Sequence, residues 1–261
     1  MKQKIVYIMG IGHSGSTFLQ MLLSSHEQIV GMGEVSLLLK NRNKESIPQC
    51  SCGDSVENCK VWGGLLNELK NSDDDIQAFQ NILLQFQEKF PSKILIDSSK
   101  NLISFKKYYA NKSLKDIEVN VIFLVRDFRS WVISREKNNK RKSRNNYGVV
   151  YNAYKWYYRN RRKLNYLKSA GIPFTVISYE DLVLQKAKTL KKISSFLDIP
   201  NDYSEIHQAE MHDIYGNRMK NDTSKNKQIY YDNSWMKMNQ TAFISPLLML
   251  PYALNKKLYT Q

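Results

Sequence analysis

The chain is short of acidic residues, cysteines and long apolar segments, and each shortage excludes a class of protein. Its 24 acidic residues stand against 39 lysines and arginines, a formal net charge of +15, so an anionic partner is expected. Its 3 cysteines are an odd number, which argues against a disulfide framework. No apolar stretch is long enough to cross a bilayer, and no secretory leader precedes the first predicted strand. We therefore expect a cytoplasmic protein.

The longest apolar segment, residues 243–254, contains two prolines. We expect it to pack on the body of the protein, and contact with a membrane surface stays an alternative.

Length and patterning predict one α/β domain that spans residues 1–261. No internal repeat and no long linker divides the chain. Helical segments separate four apolar runs, which predict the strands 5–9, 93–97, 119–125 and 173–178. This alternation is typical of a P-loop-like parallel sheet flanked by helices. Residues 31–58 are expected to be rich in loops.

A glycine-rich turn, Gly10-Ile-Gly-His-Ser-Gly-Ser-Thr17, follows the first predicted strand and precedes a predicted helix. Backbone N–H groups converge on an anion at such a junction. The turn lacks the lysine of nucleotide triphosphatases, because Ser16 occupies that position. A tight turn without a ligand would need only the glycines. The hydroxyl groups of Ser14, Ser16 and Thr17, with His13 at the tip, favour a binding site for a phosphate-type group.

A second anion site is predicted at the end of the strand 119–125. Arg126 follows this strand, and Ser134 lies eight residues later in a predicted helix. An arginine fork and a helix hydroxyl together suit a phosphate. The alternative is that Arg126 pairs with Asp127 or Glu180. Two separate anion sites suit a nucleotide that is phosphorylated at both its 5′ and 3′ positions.

Basic residues concentrate between residues 137 and 192, where several tyrosines accompany them. Nucleic-acid binding would produce such a mixture. However, six residues recur at roughly helical intervals, which predicts the inner face of one long helix with solvated arginines. They are Val150, Ala153, Tyr154, Tyr157, Leu164 and Leu167. We therefore do not expect a nucleic-acid partner.

Three segments resemble motifs of the sulfotransferases that use 3′-phosphoadenylyl sulfate (PAPS), especially the carbohydrate and protein-tyrosine branch and its bacterial relatives. Residues 12–17 match the 5′-phosphosulfate loop, in which Arg or Lys usually precedes Ser-Gly-Thr-Thr. Residues 124–134 look like the 3′-phosphate motif, with Arg126 and Ser134 at the matching positions. Tyr179-Glu-Asp-Leu-Val183 is similar to a Tyr-Glu-x-Leu segment whose tyrosine commonly contacts the donor. The three motifs stand in the family's order, so the resemblance covers most of the chain.

The resemblance implies sulfuryl transfer from PAPS to a hydroxyl of a sugar, lipid or small metabolite, with 3′-phosphoadenosine 5′-phosphate (PAP) as product and no metal requirement. It implies donor contacts from Gly12, His13, Ser14, Gly15, Ser16, Thr17, Arg126, Ser134, Tyr179, Arg218 and Lys220. The last two belong to a late loop expected to close over the nucleotide.

The resemblance also implies catalytic roles for three residues. Glu34 occupies the place of the catalytic glutamate of the protein-tyrosine enzymes, and capping of a helix at residues 36–40 is its alternative role. His13 stands where the family usually has a permanent cation, and a histidine can also move a proton. Lys100 is a candidate for the missing positive charge.

The cysteines Cys50, Cys52 and Cys59 fall within ten residues and look like a loop of the bacterial members. A metal site would need a fourth ligand and a Cys-x-x-Cys step, which the sequence does not show. A local loop motif is favoured, with a metal or redox role left open. The remaining histidines, His26, His207 and His212, are expected in surface or core roles.

Two other functions stay open for the chain as a whole. One is a P-loop-like kinase, which Ser16 disfavours. The other is a non-catalytic binder of polyanions, which only the net charge supports. The acceptor and the oligomeric state do not follow from the sequence.

Overall fold

The computed structural model describes residues 3–110, 117–145, 147–216, 231–237 and 243–260. Its strands are β1 (Gln3–Met9), β2 (Ile29–Gly33), β3 (Ile94–Lys100), β4 (Ile117–Val125) and β5 (Phe174–Ser178). Its helices are α1 (Ser16–Leu23), α2 (Val35–Asn41), α3 (Leu65–Asn71), α4 (Asp75–Lys89), α5 (Leu102–Tyr108), α6 (Phe128–Arg141), α7 (Gly148–Ser169), α8 (Tyr179–Leu184), α9 (Lys186–Leu197) and α10 (Met249–Tyr259). Short 3₁₀ turns cover Ile206–Gln208, Ser234–Lys237 and Pro246–Leu248.

The strands form a five-stranded parallel sheet in the order β2-β3-β1-β4-β5. The register sets Ile5 beside Leu95 and Met9 beside Lys100, and Ile29 beside Ile94. The strand centres are apolar almost throughout, as expected where helices cover a parallel sheet. The predicted fold class is therefore confirmed.

One strand was not predicted: β2 (Ile29–Gly33) lies at the edge of the region expected to be loop-rich. Its sequence, Ile-Val-Gly-Met-Gly, has two glycines, which weaken the strand signal. Neighbours explain the first glycine, because a Cβ atom at Gly31 would lie 2.6 Å from the Gln20 amide nitrogen and 3.1 Å from Met211. Close packing thus requires glycine at a strand position, and this glycine lowers the strand propensity of the segment, so the sequence does not predict β2.

The chain divides into two compact units. The first contains residues 1–9, 16–121 and 202–227, and the second contains residues 10–15, 122–201 and 228–261. In the first unit, aromatic rings fill the core: Tyr7 packs edge-on against Phe105 and Tyr109, and Trp62 packs against Phe86.

In the second unit, α7 is the predicted long helix, and it buries four of the six predicted inner-face residues, Ala153, Tyr157, Leu164 and Leu167, together with Trp156. The prediction is wrong for Val150, which is exposed near the start of the helix, and Tyr154 is only half-buried. The apolar segment near the chain end becomes a 3₁₀ turn and α10, which buries Pro251, Leu254 and Leu258. Within the described ranges, no helix is long and apolar enough to cross a membrane.

Candidate functional site

The glycine-rich turn connects β1 with α1 in the predicted manner. His13 has a φ of 72° and Gly15 a φ of 92°, so both adopt left-handed conformations. Such a conformation is costly for a residue with a side chain, and it is concentrated at ligand sites. Gly15 also has to be glycine for a second reason, because an added Cβ would lie 2.6 Å from the ring of Tyr179. The turn is thus held in one specific shape beneath Tyr179.

Two side chains of the second unit, which also contains residues 10–15, donate hydrogen bonds to carbonyl groups of the turn. Trp131 on α6 donates from its indole nitrogen to the Gly12 carbonyl at 2.7 Å. Arg126 donates from Nη1 to the His13 carbonyl at 3.1 Å. Protein donors therefore occupy both carbonyl groups. An anion would be bound by backbone N–H groups of the turn.

Arg126 is the centre of the predicted second anion site. It follows β4 and is 6% exposed. Its Nε donates to the Ser130 hydroxyl at 3.2 Å, and its guanidinium lies 4.6 Å from the centroid of the Tyr179 ring. A buried guanidinium requires a negative partner. In this structure the partner is Asp232, whose carboxylate lies 3.1 Å from Nη2.

The alternative pairing of Arg126 with Asp127 or Glu180 is not what the structure contains. Asp127 pairs with Arg129 at 2.8 Å and accepts from its backbone N–H as the cap of α6. Glu180 accepts a hydrogen bond from the hydroxyl of Tyr259. Burial is the main reason that the pKa of Glu180 is raised.

Ser130, rather than Ser134, is the hydroxyl that touches Arg126. Ser130 is 2% exposed, and Ser134 lies half-buried one helical turn further along α6. Ser130 and Ser134 both lie on α6, and Ser130 is a member of the candidate site that the motif resemblance did not indicate.

Ser14 supplies an observation that points to a ligand. Its side chain is 1% exposed. Among the residues that the structure describes, no hydrogen-bond partner lies within reach of Ser14 Oγ. A buried hydroxyl without a partner is energetically costly. Because it lies in the anion-binding turn, a bound phosphate or sulfate oxygen is the group that would satisfy it.

Burial of the remaining turn residues agrees with a loop that leads directly into a helix. Ser16, the first residue of α1, is buried, Thr17 is half-buried, and Gly12 is exposed. The turn thus has the elements that suit a phosphate-type group: glycines, hydroxyls and a helix N-terminus.

The first unit brings together two of the candidate catalytic residues. Lys100 Nζ lies 2.7 Å from Glu34 Oε1, and both side chains are less than one-fifth exposed, at 15% and 19%. Lys100 closes β3 with a φ of 65° and also donates to the Ser98 carbonyl at 3.0 Å. Its register partner is Met9, the last residue of β1, so the glycine-rich turn begins one residue beyond that point.

Glu34 stands at the N-cap position of α2, but its side chain makes no capping hydrogen bond. The alternative of a purely capping glutamate is therefore not supported, since the carboxylate is directed to Lys100 instead. An ion pair of this kind holds a carboxylate in one orientation.

A buried carboxylate that the sequence analysis did not assign, Asp97, supports this pair. Asp97 accepts from the Ser99 backbone N–H at 2.8 Å and from the Tyr109 hydroxyl at 2.7 Å. The Ser99 hydroxyl in turn accepts from the Ser36 N–H at 3.0 Å, in the first turn of α2. Burial raises the pKa of Asp97 to about 6 despite these hydrogen bonds. Asp97 thereby fixes the helix end that carries Glu34.

The predicted donor contacts Arg218 and Lys220 lie outside the described residues. His13 is exposed, and its imidazole stays a candidate. Four members of the candidate site were missed: Trp131, Ser130, Asp97 and Asp232. Only Asp97 had a signal in the sequence, because it ends an apolar strand.

Comparison with known proteins bears on the family and the fold of the chain. A family model described as Sulfotransferase family matches residues 6–205. Among solved structures, the chain resembles the sulfotransferase domain from the curacin biosynthetic pathway, with 19% identity, a TM-score of 0.61 and coverage of 98% of both chains.

It also resembles the sulfotransferase domain of the Synechococcus PCC 7002 olefin synthase, with 18% identity and a TM-score of 0.62. That match covers 99% of this chain and 96% of the other. No curated protein sequence matches the chain.

Proposed function

The chain belongs to the sulfotransferase family, and on this basis we propose that it moves a sulfuryl group from PAPS to the hydroxyl of a sugar, lipid or small metabolite. The observation that carries the proposal is the contact between Arg126 and the carbonyl of His13. This contact joins the two predicted phosphate-binding elements, the glycine-rich turn and Arg126. A donor nucleotide that is phosphorylated at both its 5′ and 3′ positions could occupy both elements at once.

The donor end of the reaction is assigned to the glycine-rich turn and Arg126. The turn's N–H groups and the buried Ser14 hydroxyl would hold the 5′-phosphosulfate end, and Arg126 with Ser130 and Ser134 would hold the 3′-phosphate. The Tyr179 ring, stacked over both Gly15 and Arg126, would limit water near the nucleotide. PAPS supplies the activated sulfuryl group, and PAP is the product.

The acceptor end is assigned to the pair of Glu34 and Lys100. Transfer requires a base for the acceptor proton and a positive charge where the leaving oxygen develops negative charge. Glu34 takes the proton, and Lys100, 2.7 Å away, orients the carboxylate and supplies charge. His13 is the second candidate for either role. None of these steps calls for a metal ion.

We also propose that residues 1–261 act as one sulfotransferase domain in the cytoplasm. The nearly complete coverage of two sulfotransferase domains supports the first part. The odd number of cysteines supports the second, since it argues against the disulfide framework of a secreted protein. A hydroxyl-bearing acceptor is the expected partner, and neither a nucleic acid nor a kinase substrate is part of this proposal.

A thermal-shift experiment tests the donor assignment. PAP should raise the melting temperature without magnesium, whereas ATP with magnesium should raise it little. Stabilisation by ATP with magnesium alone would reject the proposal in favour of a kinase. Mass spectrometry then tests transfer itself, by detecting molecules of a cell extract that gain a sulfo group only when both enzyme and PAPS are present.

Two variants connect the shift to the site. Arg126→Lys keeps the charge but loses the planar fork, so the PAP shift should fall markedly. Arg162→Ala removes an exposed arginine of α7 and should leave the shift unchanged. Equal shifts in both variants would show that Arg126 does not hold a phosphate.

A further inference from the structure

Three cysteines and one histidine meet outside the proposed transfer site, all within the first unit. Their ligand atoms, one sulfur or nitrogen per residue, lie within 4.8 Å of one another. The group consists of Cys50, Cys52, Cys59 and His212. The sequence showed no fourth ligand, because 153 residues separate His212 from Cys59 and only the fold brings them together.

The spacing of the donor atoms matches tetrahedral coordination. The Sγ atom of Cys59 lies 3.7 Å from that of Cys50 and 3.7 Å from that of Cys52. Zinc–sulfur bonds of about 2.3 Å place the sulfurs of a regular tetrahedron about 3.8 Å apart. His212 Nδ1 lies 3.3 Å from Cys59 Sγ and 3.9 Å from Cys50 Sγ, and about 3.5 Å is expected for a nitrogen at the fourth corner.

We propose that this group is a structural zinc site with the ligands Cys50, Cys52, Cys59 and His212. Three thiolates and an imidazole form a soft donor set that suits zinc better than magnesium or calcium. Because four protein ligands complete the tetrahedron, no position is left for a reacting water. The site is therefore structural, and its assignment does not rest on the proposed sulfuryl transfer.

A disulfide explains the same residues less well. A disulfide requires sulfur atoms about 2.0 Å apart, but the two short sulfur pairs are both 3.7 Å apart. Any one disulfide would also leave the third thiol and the histidine without a role.

Hydrogen bonds hold the histidine in position, as outer-shell contacts do in metal sites. The indole nitrogen of Trp62 donates to the His212 carbonyl at 2.7 Å. Ser51, between two of the cysteines, donates from its backbone N–H to the Asp213 carbonyl and accepts from the Asp213 N–H, at 2.9 and 2.8 Å. The ring of His212 packs against Phe90, with 5.5 Å between centroids. Cys52 is exposed, which gives the metal a route of entry.

The site also connects the cysteine loop with the segment that pairs with the edge strand β2. Gly31 on β2 accepts from the His212 N–H at 2.9 Å and donates to the Glu210 carbonyl at 3.0 Å. Asp213 lies against Gly33, at 3.0 Å from where a Cβ would stand, and Gly33 directly precedes Glu34. Zinc would thus hold the edge of β2, the strand that leads into Glu34.

Metal analysis of the full chain tests the site. Protein purified without chelators should contain about one zinc per chain, measured by plasma mass spectrometry. Replacement by Co²⁺ should give the strong visible bands of tetrahedral cobalt with thiolate ligands. Cys52→Ser should lose the bound zinc while keeping the fold, because Cys52 is exposed. His207→Ala, an exposed histidine five residues from the ligand, is the matched control and should keep it.

A second pair of variants separates ligation from folding. His212→Ala should lose zinc, whereas His212→Cys should keep it, because four thiolates also form a zinc site. Wild-type protein that binds neither zinc nor tetrahedral cobalt would overturn the proposal. So would equal zinc content in the wild type and Cys52→Ser, or a disulfide among these cysteines in the intact mass of freshly purified protein.

Discussion

The carboxylate of Asp232 lies 3.1 Å from Arg126 Nη2 and so occupies one arm of the arginine fork that is proposed to bind a phosphate. The pKa of Asp232 is lowered: burial opposes this, but hydrogen bonds from Ser234 and the charges of Arg126 and Lys137 outweigh it. The carboxylate therefore stays ionised near neutral pH and neutralises a buried cation. A bound 3′-phosphate would have to displace it.

Replacement of this competitor should strengthen nucleotide binding. Asp232→Asn removes the negative charge but keeps the size of the side chain, so we expect PAP to bind roughly tenfold more tightly, equivalent to about 1.4 kcal/mol. Isothermal titration calorimetry measures the change. Asp198→Asn, an exposed carboxylate at the end of α9, serves as control. Weaker binding in Asp232→Asn would mean that Asp232 helps to arrange the fork rather than competes for it.

The glycine of the turn offers a test of loop shape. Gly15 and Gly148 both have positive φ, at 92° and 78°, but only a Cβ at Gly15 would collide, 2.6 Å from Tyr179. Alanine at either position should cost about 1–2 kcal/mol of backbone strain. Gly15→Ala should also abolish the PAP-induced thermal shift, whereas Gly148→Ala should keep it.

A double variant distinguishes the collision from the strain. Adding Tyr179→Ala to Gly15→Ala makes room for the methyl group. The double variant should therefore lose less unfolding free energy than the two single variants lose in total, which urea denaturation can measure. Strict additivity would show that the ring and the turn do not interact.

The local parts of the site could be predicted from the sequence, because the turn and Arg126 each directly follow an apolar strand. Asp232 and His212 could not, since each meets its partner more than 100 residues away in the chain, at separations of 106 and 153. The edge strand β2 was missed for a related reason: its glycines are required by neighbours, Gln20 and Met211, that sequence periodicity does not reveal.

The proton acceptor is tested at Glu34. Glu34→Gln keeps the shape but removes the base, so transfer to the acceptor found by mass spectrometry should slow by about 10²- to 10⁴-fold. The PAP-induced thermal shift should be unchanged. Glu27→Gln, an exposed glutamate of the first unit, should retain full transfer. Full activity of Glu34→Gln would reassign the base, with His13 the next residue to replace.

The buried carboxylate of Asp97 should give the folded protein a distinctive pH dependence. Its pKa rises from the ordinary 3.8 to about 6, mainly through burial. The folded state therefore binds this proton more tightly than the unfolded state, and stability falls as the pH rises from about 4 to about 6. The size of the effect is on the order of 3 kcal/mol, since one pKa unit corresponds to about 1.4 kcal/mol.

Urea denaturation between these pH values measures this contribution as a difference between variants. The side chain of Asp97→Asn cannot ionise, so the variant should not lose unfolding free energy through this group as the pH rises. The unfolding free energy of Asp97→Asn minus that of the wild type should therefore increase steadily from about pH 4 to about pH 6. Asp73→Asn removes an exposed carboxylate of the same unit and should follow the wild-type profile. Parallel profiles for wild type and Asp97→Asn would mean that Asp97 is solvated or otherwise compensated. In that case the hydrogen bonds to Asp97, which lower its pKa, would offset the effect of burial, which raises it.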